Sequence, residues 1–491
     1  MSLSSRLRAL LLPSFAALSL AACQVAPGTG QQSFNLLSPA QEQQMGAQEH
    51  PRLLEAFGGV YDENGIQEYV TEIGWRLLQV SETPDAQYTF TVLNSDIVNA
   101  MALPGGYVYV TRGLLALADN EAELAGVLAH EIGHVTGRHS ASRYSRGMAA
   151  NLGAAVLGIL VGSQELGQVA QTGAAAYLQN YSRDQEFEAD ALGIRYMSLA
   201  GYDASAMASF LDKLRQQASL EARIAGRDPS SVDEFNWMAS HPRTLDRVQR
   251  AMEASLSAPP QGSLARDTYL DRIDGLLYGD DPSKGVVRGR QFLHPDLRLA
   301  FDMPQGFTVL NQDDAVIGRH PSGAMAVFDG GRLPQAGDMT TYLTQSWGRN
   351  SRLSQVEAIE INSLPAATAV TQVDTQRGRM DARLVAIRFD ADTVYRFMFI
   401  TPPNLTQQMS LDLRKTTYSF RKLSAAEAAA IQPYRLRVVR VRPGDSVESL
   451  AARLPYDDGF NLDRFLMLNN LQPGQPLREG QRVKIISDGR T

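Results

Sequence analysis

Apolar residues recur at a helical interval through 66–80, as Ile66, Tyr69, Val70, Ile73 and Leu77 with polar residues between them. That spacing predicts an amphipathic helix with one buried face. The period then changes to two. Tyr88-Thr89-Phe90-Thr91-Val92-Leu93 alternates, and so does Tyr107-Val108-Tyr109-Val110-Thr111 after Pro104-Gly105-Gly106. Two half-buried strands are expected here, paired antiparallel. Helical patterning continues to about residue 258, where Pro259-Pro260-Gln261-Gly262 interrupts it. From 291 to 422 the texture is one of short apolar runs, at 324–328, 384–389 and 395–400, punctuated by Gly, Pro and Asp. It predicts a strand-rich α/β unit. An alanine-rich stretch, 424–431, reads as a helical connector to a last small unit at 437–486. The expected fold class is therefore α+β: a mainly helical domain at 46–258 with a small antiparallel sheet, a linker at 259–290, the α/β domain at 291–422 and the terminal module.

With 491 residues the chain is long enough for about three domains. A formal net charge of −7, with no block of lysine or arginine, argues against nucleic acid as the main partner. The single cysteine, Cys23, ends a segment with Arg6 and Arg8, an apolar run over 10–20 and then small residues. The run is shorter than the ~20 residues a membrane-spanning helix requires. Its end, Leu20-Ala21-Ala22-Cys23, resembles a bacterial lipobox; the other reading is a secretory signal peptide that happens to contain a cysteine. The lipobox reading implies a lipidated Cys23 holding the protein to a membrane, with residues 1–23 as signal. It leaves no thiol for disulfides or metal. Gln24 rather than Asp points to the outer membrane of a Gram-negative periplasm, and residues 24–45, rich in Gln, Pro, Gly and Ser, read as a flexible tether.

The chemistry is concentrated in one helix pattern. Asp119-Asn120-Glu121-Ala122-Glu123 is a helix start, with Asn120 as cap and Glu123 as its reciprocal partner. The helix runs into His130-Glu131-Ile132-Gly133-His134. Residues four apart share a face, so both imidazoles reach one ion at about 2.0–2.1 Å. Glu131 stands beside them as general base. Zinc would lower the pKa of a coordinated water from about 15.7 to about 7. His139, five residues past His134, is off that face and is expected at the surface. A third protein ligand is required. Glu186 and Asp190 lie four apart at the start of another helix pattern, with Glu188 directed elsewhere. Either Glu186 binds zinc while Asp190 accepts the spare N–H of a ligand histidine, or the pair is a solvated acidic helix start.

The set His130-Glu131-x-x-His134 with Ser182-Arg183-x-x-Glu186-x-Glu188-Ala189-Asp190 resembles the CAAX-prenyl-protease/HtpX/BepA-type zinc metallopeptidases. Asn99-Ala100-Met101-Ala102-Leu103-Pro104-Gly105-Gly106 and Ser240-His241-Pro242 with Arg247 extend the likeness over about residues 40–255. The resemblance implies one zinc per subunit, held by His130, His134 and Glu186. It also implies Asn99, Ala100, Met101 and Ala102 as the edge strand on which a polypeptide substrate pairs, a mode in which backbone hydrogen bonds give affinity. His241 would gate the open zinc position or stabilise the oxyanion, and Arg247 would assist. The membrane-embedded members have long hydrophobic spans. The best candidate here, 148–161, is short and rich in small residues, and reads as a buried helix or a cover.

Two further segments carry resemblances. Phe301-Asp302-Met303-Pro304-Gln305-Gly306-Phe307 is similar to the opening of PsbP/DcrB-like domains, while His294 and His320 in that unit read as structural. Val441-Arg442-Pro443-Gly444-Asp445-Ser446-Val447, the helix pattern around Leu468 and the strand pattern around Val483 resemble a LysM βααβ module. Such modules bind N-acetylglucosamine-containing glycans, which would add peptidoglycan to the partners; a structural cap without glycan binding is the alternative. The expected function is a zinc metalloendopeptidase of the envelope acting on unfolded or misassembled proteins. A chaperone or assembly factor with repressed proteolysis, and a peptidoglycan-binding lipoprotein, are the alternatives.

Overall fold

A computed structural model describes residues 37–143, 181–229, 245–256, 262–312, 314–333, 338–375 and 378–489, with Ser145 and a few residues of 23–35. These fall into two compact units. The first takes the described residues up to Leu276 together with Leu436–Leu454 and Phe460–Ile486, and the second takes most of the rest.

The first unit opens with a short antiparallel pair, β1 (Cys23–Val25) and β2 (Gln32–Phe34). Helix α1 (Pro39–Ala56) follows, started by Pro39 and by a capping box between Ser38 and Gln41. Gly28 N donates to the Thr136 carbonyl at 3.2 Å, and the Arg138 guanidinium bonds Glu42 and the Leu37 carbonyl. Within the expected tether, residues 39–45 are thus the first turns of α1. The capping box and the buried Glu42–Arg138 pair dock the segment, although its composition alone reads as flexible.

Helix α2 (Ile66–Leu78) buries all five of the residues whose spacing predicted it. The sheet comprises β3 (Thr89–Leu93), β4 (Ala100–Leu103) and β5 (Tyr107–Thr111), in the order β3-β5-β4. β4 and β5 form the antiparallel hairpin, turned by Gly105 and Gly106 at φ 82° and 87°. β3 lies on the far side of β5 and is parallel to it. The small sheet is thus mixed, not antiparallel. Period-two alternation marks a strand but not its partner, and the intervening β4 reverses the direction.

Helices α3 (Arg112–Leu117), α4 (Glu121–Thr136), α5 (Arg183–Leu199), α6 (Ser205–Ile224), α7 (Leu245–Leu256) and α8 (Arg266–Ile273) complete this part. α8 lies inside the expected linker yet buries Tyr269, Leu270 and Ile273, and the Tyr269 hydroxyl donates to the Leu115 carbonyl at 2.6 Å. Residues 266–273 are therefore core; three apolar positions in a polar stretch suffice once they share a face. No helix among the described residues is long and apolar enough to cross a membrane. Residues 1–22 and 148–161 lie outside the described residues.

In the second unit, a seven-stranded antiparallel sheet contains β6 (Thr308–Asn311), β7 (Ala315–Arg319), β8 (Met325–Arg332), β9 (Ser354–Ile361), β10 (Leu364–Thr375), β11 (Gly378–Arg388) and β12 (Thr393–Thr401). Their order is β6-β7-β8-β12-β11-β10-β9. Helix α9 (Thr406–Ser419) follows, and Phe301, Phe328, Phe397, Phe399 and Phe420 fill the core. The three apolar runs fall on β8, β11 and β12. His294 and His320 accept local backbone bonds, from Leu297 and Ser322. A short helix, α10 (Ala425–Ala430), forms where the alanine-rich connector was expected. The last module, nearly all of which belongs to the first unit, is β13 (Tyr434–Arg440), α11 (Val447–Ala451), α12 (Asn461–Leu468) and β14 (Arg482–Ser487), with β13 and β14 adjacent in one sheet.

Candidate metal centre

α4 begins where Asn120 accepts from the Glu123 N–H at 2.9 Å, a cap typically worth about 1 kcal/mol. The Glu123 carboxylate reaches Asp119 N at 2.8 Å, one residue earlier than a standard capping box, and also accepts from Ser209 at 2.8 Å. α4 and α5 pack without room for side chains at two points. A Cβ on Gly133 would lie 3.0 Å from the Ala189 carbonyl oxygen, and one on Gly193 would lie 3.2 Å from the His130 nitrogen. This approach brings the acidic face of α5 against the histidine face of α4.

Three side chains converge there. His130 Nε2 and His134 Nε2 are 3.0 Å apart, and Glu186 offers Oε2 at 3.6 Å from the first and Oε1 at 3.4 Å from the second. Donor atoms held at 2.0–2.1 Å around a tetrahedral ion lie about 3.3 Å from one another. The three separations scatter about that value, so the residues fit a metal ion, and their donor set suits zinc. All three are buried.

The other ring nitrogens are used as a metal site requires. His130 Nδ1 lies 2.8 Å from Asp190 Oδ1, which turns Nε2 toward His134 and Glu186. His134 Nδ1 lies 2.8 Å from His139 Nδ1, and His139 Nε2 is 3.5 Å from Glu188. His139 is thus not at the surface; it is 3% exposed. The helical period stops applying because α4 ends at Thr136 and Arg138 takes a left-handed φ of 54°, which swings His139 back toward the ligand face. Glu188 turns away from the three ligand atoms, as expected, but toward His139. Replacing His139 with Leu is expected to weaken zinc binding about 10- to 100-fold, as removal of an outer partner does. Competition against a chromophoric chelator measures this; unchanged affinity would reduce the His134–His139 contact to packing.

Arg247, from α7, is also buried. Its Nε and Nη2 bond both oxygens of Asp190 at 2.8 and 2.7 Å, and its Nη1 lies 2.5 Å from Glu186 Oε2. It grips the carboxylates of both Asp190 and Glu186. Burial drives the Asp190 carboxyl upward, but Arg247 and then His130 outweigh it and hold it below its usual range. Burial likewise disfavours charge on His130, yet Asp190 and Glu186 leave its pKa above the ordinary value.

Tyr181 stacks on the His134 ring at 3.9 Å and 17°, and its hydroxyl lies 2.7 Å from Ser140 Oγ. Ser140 in turn reaches the Ala102 carbonyl at 3.4 Å. Sequence reasoning gave Tyr181 no role; its position immediately before the Ser182 cap was the available signal. Glu131 is fully buried on α4. Ala100, Met101 and Ala102 lie in β4, an edge strand among the described residues, with Asn99 immediately before it. His241 lies outside the described residues.

The family model for peptidase family M48 matches residues 65–255, and the LysM domain model matches 439–485. The putative beta-barrel assembly-enhancing protease of Vibrio cholerae is 32% identical over 241 residues, covering 46% of this chain and 48% of that one. The beta-barrel assembly-enhancing protease of Escherichia coli K12 is 31% identical over 260 residues, 51% of each. The mitochondrial metalloendopeptidase OMA1 of Arabidopsis thaliana is 32% identical over 156 residues, 32% of this chain and 31% of that one. The chain spans about half the length of the first two of these relatives. The solution structure of PsbP from Synechocystis sp. PCC 6803 aligns with a TM-score of 0.22 at 12% identity, over 29% of this chain and 98% of that one, too low to assign a fold. Residues 65–255 of this chain are a peptidase family M48 domain, and residues 439–485 are a LysM domain.

Proposed function

We propose that the chain is a zinc-dependent metalloendopeptidase of the bacterial cell envelope, cleaving unfolded or misassembled polypeptides. The observation that carries this is the convergence of His130, His134 and Glu186, with both outer imidazole nitrogens engaged by Asp190 and His139. A zinc ion held by these three residues supplies Lewis-acid activation of water and of the scissile carbonyl near neutral pH. Glu131 takes the proton of the attacking water on its carboxylate and returns it to the leaving amine. Asp190 and Arg247 fix the His130 and Glu186 side chains. A substrate strand adds to β4, from Asn99 through Ala102, and is recognised through its backbone. His241 gates or supports the open position.

The LysM domain supports peptidoglycan as a further partner, and Leu20-Ala21-Ala22-Cys23 supports a lipid anchor, with the periplasmic face of the outer membrane as the location.

Metal removal tests the reading. Treatment with 1,10-phenanthroline is expected to abolish cleavage of unfolded casein, and stoichiometric zinc to restore it. A purified chain that holds no zinc, or that cleaves equally after chelation, would sink the proposal.

A further inference from the structure

Away from the metal centre, a second buried cluster of charge involves the LysM module. Lys484, in β14, and Lys213, in α6, are fully buried, and both pair with Asp119 Oδ1; the Lys484 distance is 2.9 Å. Lys484 Nζ also donates to the carbonyls of Ala116, Leu117 and Ala118 at 3.1, 3.0 and 2.8 Å. These carbonyls end α3, where helical partners run out and a cation complements the dipole. The module holds this lysine firmly. Asn469 accepts from Lys484 N at 2.7 Å and donates to its carbonyl at 2.9 Å. Lys213 reaches back to the Leu468 carbonyl of the module at 3.1 Å. Burial pushes the Lys484 ammonium down, to about 7, with Asp119 opposing.

The residues that Lys484 grips, 116–119, join two working parts. Before them lie β5 and α3, and β5 carries the edge strand β4. After them α4 begins, and with it His130, Glu131 and His134. The chain passes from the edge-strand sheet to the metal helix through this junction.

We propose that Lys484 is a positioning residue for the peptidase reaction, through which the LysM module braces the junction between the substrate-edge sheet and the metal-binding helix. The module is then a working part of the peptidase unit, whatever it binds on its outer face. This rests on the metallopeptidase reading above. The chemistry needs reacting groups placed closely, and a displacement of about 1 Å costs on the order of 10²-fold. Because the three ligands lie on α4 and α5, beyond the junction, metal binding itself is spared.

The test uses the full chain with Lys484→Met, which keeps the stem and removes the cation. Zinc content, kcat and KM on an unfolded casein-derived peptide are measured well below the melting transition. The expected result is a full zinc complement with kcat reduced about 10- to 100-fold. Arg482→Gln is the control. It removes contacts of Arg482 with Asp267 and Asp271 at the rim of the same docking face, and kcat is expected to stay at the wild-type value. Wild-type kcat in folded, zinc-loaded Lys484→Met overturns the inference, and so does an equal loss in Arg482→Gln. If Lys484→Met does not fold, Asp119→Asn, which keeps an acceptor but no charge, takes its place; wild-type kcat there overturns the inference equally. Absence of zinc or cleavage in the wild type would instead defeat the metallopeptidase reading.

Discussion

Glu131→Gln is expected to yield a folded protein with a full zinc complement and almost no turnover. The expected loss is about 10²- to 10⁴-fold in kcat, the range general acid–base groups contribute. Glu131 is fully buried on α4 and lies outside the three-atom ligand group, so an isosteric amide leaves the metal where it is. What changes is the proton inventory, since an amide neither accepts the water proton nor returns it to the departing nitrogen. With the proposed pairing of substrate on β4 untouched by the change, KM should hold while kcat and kcat/KM fall together, the pattern of an interaction made only in the transition state. Steady-state cleavage of unfolded casein beside metal analysis decides it. Equal behaviour of wild type and variant would favour a chaperone-like role with proteolysis repressed.

The pairing of His130 with His134 was legible because a helical period of 3.6 residues needs no tertiary information to place them together. Glu186 and Asp190 were legible for the same reason on α5. What spacing alone left open was whether the two faces meet. That depends on Gly133 and Gly193, where the absence of a side chain lets α4 and α5 approach, and glycines inside helices read in sequence mainly as weak points. His139 departs from the helical periodicity because one left-handed residue, Arg138, ends it. The mixed sheet was missed because alternation carries no direction. In the C-terminal module the βααβ pattern was plain, but its attachment was not. A lysine in a strand reads as a solvated charge, and only the fold brings Asp119 and three helix-end carbonyls to Lys484.

Arg247 separates two roles that sequence likeness leaves together. If its guanidinium stabilised the oxyanion at the open metal position, Arg247→Met would keep wild-type stability and lose about 10²- to 10³-fold in kcat, as removal of an oxyanion donor does. The geometry leads to another result. Arg247 is committed to Asp190 and Glu186, and removing it leaves two buried carboxylates without their cation, which typically costs about 3–5 kcal/mol. The metal-free variant should therefore melt well below the wild type. Zinc should raise its melting temperature by more than it raises the wild type's, since the ion restores positive charge to Glu186 and stabilises by preferential binding to the folded state. The acid limb should move too. Asp190 is held below the usual carboxylate range in the wild type, so its contribution is complete above the ordinary pKa of about 3.9 and fades as pH falls through the lowered folded value. Without Arg247 the folded pKa rises, and acid unfolding begins at higher pH. Thermal melts with and without zinc across the acid range measure all three shifts; wild-type melting with depressed kcat would instead give Arg247 a direct part in the chemistry.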